Sequence, residues 1–178
     1  MDEAADIRRT IHLELDRARD DFHALVAAAG PADLRRRSAG TRWTNGQLLF
    51  HMYFGHLVVR RLLPLVRLLG RLPPVVGRVF SRVLDAGTRP FHVINHLGSC
   101  GGALVVRGPR LTRWFDRTVD VLHDRIEHES ADALARGMHF PVHWDPYFQD
   151  WMSLADVYRY AAVHYDHHRR QLTLHGHS

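Results

Sequence analysis

Apolar residues recur at spacings of three and four in four long stretches of the chain. Each stretch reads as one face of an α-helix. In the first, Ile7, Ile11, Leu15, Ala18, Phe22, Leu25 and Val26 make the stripe, and Gly30-Pro31 ends it. Residues 31–42 read as a linker with a short turn, its Arg35-Arg36-Arg37 run solvated. The second helix opens at Trp43-Thr-Asn-Gly-Gln47, where Thr44 and Gln47 have capping-box spacing. Its face continues through Leu48, His51, Met52, Gly55, Val58, Val59 and Leu62, and Pro64 should kink or end it. The third runs from Pro109 to Ser130 on Leu111, Phe115, Thr118, Val119, Leu122 and Ile126, leaving His123 and His128 exposed. The fourth follows Ser153, a good N-cap with Asp156 in its first turn, and carries Leu154, Val157, Ala161, His164, His168 and Leu172 on one face.

The segments between these helices are less regular. From Leu57 to Val83 the chain is rich in Leu and Val, broken by prolines and glycines and by arginines at 60, 67, 71, 78 and 82. The simplest reading is an extended helix and a helical hairpin covering the bundle; the alternative is a lid or a surface for an anionic ligand or lipid. Gly98 to Gly108 reads as a mobile glycine-rich connection without a phosphate-loop pattern. Residues 137–151 form a loop crowded with aromatic rings, which should bury themselves at the mouth of the bundle. No strand pattern stands out. The expectation is an all-α fold, a four-helix bundle in one domain over 1–178, with a helical insertion at 57–108 between the second and third long helices.

Composition changes this picture little. With 46% hydrophobic residues in 178, the chain can build a real core. Its net charge of +5 comes entirely from arginine and is spread along the chain, which argues against a nucleic-acid surface. A single cysteine, Cys100, excludes an internal disulfide framework, and no Cys-His signature marks it as a nucleophile. The acidic N-terminus does not read as a signal peptide, and no apolar run is long enough for a membrane span. A cytoplasmic protein with no membrane partner is expected.

The chemistry lies in the stripes. His51 on the second helix and His164 and His168 on the fourth all point toward the core, and the last two are one turn apart. A buried imidazole needs partners for both nitrogens. A divalent metal, zinc first and nickel second, would satisfy one nitrogen of each ring. Three nitrogen ligands and an open position match a catalytic rather than a structural zinc site. His167 lies off this face. Trp43 would close one end of the site and, with Trp144, Tyr147 and Trp151 in the aromatic loop, would contact substrate. No general base stands out.

Trp43-Thr-x-Gly-Gln-Leu-Leu-x-His51, together with His164-x-x-x-His168-Arg-Arg-Gln171, resembles the DinB superfamily. The resemblance implies a four-helix bundle whose three histidines, here His51, His164 and His168, bind a divalent metal, with a homodimer common. Characterised relatives of this kind are largely thiol-dependent enzymes. The resemblance therefore implies a metal-dependent S-transferase that joins a low-molecular-weight thiol, mycothiol for a GC-rich coding sequence, to a small electrophile. A non-catalytic metal- or small-ligand-binding bundle is the alternative.

Overall fold

The computed structural model describes residues 3–174, which form eight helices and a two-stranded sheet. In chain order these are α1 (Glu3–Ala28), α2 (Pro31–Arg35), α3 (Asn45–Leu69), α4 (Pro74–Ala86), α5 (Thr88–Val105), α6 (Pro109–Glu127), α7 (Ala131–Ala135), β1 (Gly137–His139), β2 (Trp151–Ser153) and α8 (Leu154–Arg169). The four long helices close a ring: α1 packs on α6 and α8, and α3 packs on the same two from the other side. The α1 and α6 stripes meet at its centre, where the rings of Phe22 and Phe115 stack at 4.3 Å. All six α6 stripe residues are buried.

The expected Thr44–Gln47 capping box forms, and the expected Ser153 N-cap is completed by Asp156 into a second one. Thr44 Oγ1 accepts from Gln47 N–H while the Gln47 side chain accepts from Thr44 N–H, and Ser153 and Asp156 do the same for α8. The segment that follows α8 is tied back by Asn45, whose side chain donates to the Asp33 carbonyl and accepts from Thr173 N–H.

Several expectations are corrected. Pro64 neither ends nor breaks α3, which runs on to Leu69. Proline cannot donate to the carbonyl four residues back, and here Arg125 from α6 donates to that Arg60 carbonyl instead, at 2.6 Å. Gly98–Gly102 is not a loop but part of α5. The segment after residue 70 is the helical hairpin α4–α5: α5 packs on α3, and α4 packs on β1. Its outer side exposes Val75, Val79, Val83, Leu97 and Leu104. A short antiparallel ladder, Gly137 with Ser153 and His139 with Trp151, brackets the aromatic loop. A side chain at Gly137 would collide with the Met152 carbonyl, so the close strand approach requires glycine. His123 is only part-exposed and meets His12 of α1 ring nitrogen to ring nitrogen, while His128 is exposed as expected.

Candidate metal centre

The α3–α8 contact brings three histidines together. His51 stands in the second turn of α3, behind the Thr44 cap, and His164 and His168 stand one turn apart near the end of α8. Their ring centroids are 5.0, 4.6 and 4.5 Å apart. One nitrogen from each lies within 4.8 Å of the other two. All three side chains are buried.

Burial sets their protonation. Desolvation pushes His51 down to about 3 and His168 to about 4, and drives His164 well below its usual value; neighbouring rings lower His51 and His164 further. All three are therefore neutral at pH 7, the form in which imidazole ligates a cation. Two are also held in orientation. His168 Nδ1–H donates to Gln171 Oε1 at 2.7 Å, which leaves the Nε2 lone pair free. Nδ1 of His51 lies 3.0 Å from the Ser99 hydroxyl, contributed by α5. Such partners fix the tautomer and aim of metal-binding histidines. The Nδ1 of His164 is buried without a hydrogen-bond partner among the described residues. Three neutral, converging imidazoles, one with an unsatisfied nitrogen, can hold a metal ion.

Gly55 makes room for this. It sits one turn after His51 on α3, and any Cβ there would overlap the His164 ring. On the far side the indole of Trp43 stacks on His51 at 4.3 Å and meets the edge of His168 at 6.1 Å.

In front of His51 and His164 opens a cavity of about 270 Å³. Val58 and Leu62 of α3, Phe80 and Leu84 of α4, and Ile94 of α5 supply much of its wall. The aromatic loop closes it with Phe140, Trp144 and Phe148. Trp144 is fixed twice, by its indole N–H on the Leu84 carbonyl at 2.9 Å and by stacking on Phe91 at 3.9 Å.

Of the four aromatic residues expected at substrate, Trp144 alone lines this cavity. Trp43 backs the histidines, Tyr147 lies outside the lining with its hydroxyl 3.0 Å from His167 Nδ1, and Trp151 is 44% exposed on β2, its ring edge against His139. Cys100 lies on α5 beside His96, outside the cavity. Asp166 pairs with Arg17 and Tyr165 donates to Asp21, both away from the histidines.

Sequence reasoning missed five residues. Ser99 was hidden in a stretch read as loop, and Gln171 appeared only as part of the terminal motif. Asp145 and Tyr160 also line the cavity; burial and then the Asp145 charge raise the Tyr160 hydroxyl well above its usual value. The fifth is His56, wholly buried on the opposite side of α3, its Nδ1 3.2 Å from the Met52 carbonyl and its ring against Phe115. Its place in the row Met52, His56, Val59, Leu63 would have revealed it, because α3 is buried on two faces.

Residues 14–172 match the family model described as the DinB superfamily. Comparison with curated proteins and with solved structures returns no match. The match spans most of the chain, both histidine-bearing helices included, and the chain belongs to the DinB superfamily.

Proposed function

We propose that the protein is a metal-dependent thiol S-transferase that joins a low-molecular-weight thiol, mycothiol in the first instance, to a small electrophile. The observation that carries this reading is the placement of His51 and His164 in the wall of an apolar cavity, with His168 beside them. His51, His164 and His168 would hold the cation, zinc before nickel by their all-nitrogen donor set. A divalent cation with an open position lowers the pKa of a thiol that binds it, so that thiolate is available at neutral pH.

The protein's own part is positioning. Ser99 and Gln171 hold two imidazoles in aim, and Trp43 packs behind them. The cavity presents the electrophilic carbon among apolar side chains, with Trp144 as a fixed wall. The sulfur–carbon bond forms as the leaving group departs with its electron pair, and the thiol proton passes to solvent. The remaining partners follow from the same reading: no nucleic acid, no membrane, and a second copy of the chain as the family resemblance implies. No helix among the described residues is long and apolar enough to cross a membrane, and a reducing, cytoplasmic setting suits a free thiol substrate.

The test has two parts. Metal analysis of the purified protein is expected to give about one zinc or nickel per chain, lost in His168→Ala. Mycothiol with monobromobimane is expected to react faster with protein than without, and more slowly with His168→Ala. Absence of metal after zinc and nickel are offered overturns the reading. Metal without thiol consumption across a panel of electrophiles leaves the non-catalytic binding bundle instead.

A further inference from the structure

We infer that the cavity beside the histidines selects an uncharged, largely hydrocarbon ligand and rejects anions. For the word electrophile this rests on the transferase reading; for binding it does not. The described residues include all 24 arginines of the chain, and none of them lines the cavity. The one formal charge in its lining is the carboxylate of Asp145. Apart from the metal centre itself, a substrate carboxylate or phosphate would give up its water for a wall with no cation and one like charge.

The rest of the wall asks for no polar partner. Val58, Leu62, Phe80, Ile94 and Phe148 offer carbon, and the Trp144 indole N–H is already satisfied by the Leu84 carbonyl. Asn95 of α5 and Tyr160 of α8 are the polar exceptions, enough for a small uncharged head. A volume of about 270 Å³ holds about nine water-sized groups. An eight-carbon chain with a small head therefore matches it in size.

The experiment is calorimetric titration of the full-length protein, with its metal removed so that ligation to the ion does not enter, with 1-alkanols from butanol to decanol and with the matching carboxylates. Each added methylene buried in such a site is worth about fourfold in affinity. Affinity for the alcohols is expected to climb by about that factor per carbon and to level off near octanol. Octanoate is expected to bind at least about tenfold more weakly than octanol, a gap of about 1.4 kcal/mol. Asp145→Asn keeps the side-chain oxygen that accepts from Tyr147 N–H and is expected to narrow that gap while leaving octanol affinity in place. Val58→Phe should bring the plateau to shorter chains.

Equal binding of octanoate and octanol, or no dependence on chain length, overturns the inference. A protein that binds octanol as expected yet consumes no thiol would instead count against the transferase reading alone.

Discussion

At the scale of single residues, the centre depends on side chains that never meet the ion. Gln171 and Ser99 each hold one imidazole by its Nδ1. Partners of this kind typically govern 10–100-fold in metal affinity. Gln171→Ala and Ser99→Ala are each expected to weaken zinc binding by about tenfold or more with an unchanged far-UV circular dichroism spectrum; competition with a chromophoric chelator measures it. His56 separates protonation from metal binding. Burial pushes it down to about 4 from an ordinary 6.5. Between those values the unfolded chain holds more protons than the folded one, so stability falls as pH drops from 6.5 toward 4 and is unaffected above 6.5. The slope from this one group approaches about 1.4 kcal/mol per pH unit. His56→Leu is expected to flatten the metal-free protein's urea-unfolding free energy over that window by about this amount, and to leave the value at pH 8 comparatively little changed.

At the scale of elements, what could be read from the chain was whatever repeats with the helix period. The α1, α6 and α8 stripes, the Thr44–Gln47 capping box and the Ser153 N-cap are where periodicity and cap chemistry place them, and the histidine triad was legible because its members interrupt apolar stripes. The failures have tertiary causes. Gly98–Gly102 carries poor helix formers, yet α5 forms there because Gly102 lies against the Phe50 ring, where a Cβ would not fit. Pro64 survives inside α3 because a guanidinium from another helix takes up the stranded carbonyl. Strands of three residues, β1 and β2, are too short to show alternation. Gly55 carries the clearest consequence. Replacing a mid-helix glycine by alanine ordinarily stabilises a helix by about 1 kcal/mol. Here the added methyl would occupy the space of the His164 ring. Gly55→Ala is expected to keep the helical content of α3 while lowering zinc affinity by more than about tenfold. Wild-type zinc affinity in this variant would show that the His164 ring is not needed where it stands.

At the scale of the whole molecule, the α4–α5 hairpin is coupled to the bundle at two ends. Near the start of α5, Phe91 stacks on Trp144 of the aromatic loop. Near its end, Gly102 lies on Phe50 of α3, and one turn before that contact Ser99 reaches His51. The hairpin therefore both walls the cavity and aims a histidine, and a disturbance at the Phe50 contact should be felt at the metal centre through Ser99. Gly102→Ala tests this, since its methyl must displace either the Phe50 ring or α5 itself. The expected result is weaker zinc binding, of the same order as in Ser99→Ala. The decisive measurement is the double variant. If α5 acts on the centre through the Ser99–His51 contact, removing the hydroxyl leaves nothing for the displaced helix to lose. Ser99→Ala/Gly102→Ala should then cost no more than the larger single effect, a coupling well outside the about 0.3–0.5 kcal/mol scatter of independent sites. Additive losses would mean that the hairpin bears on the histidines by another route, and the Ser99 contact would then be incidental to how the insertion and the centre work together.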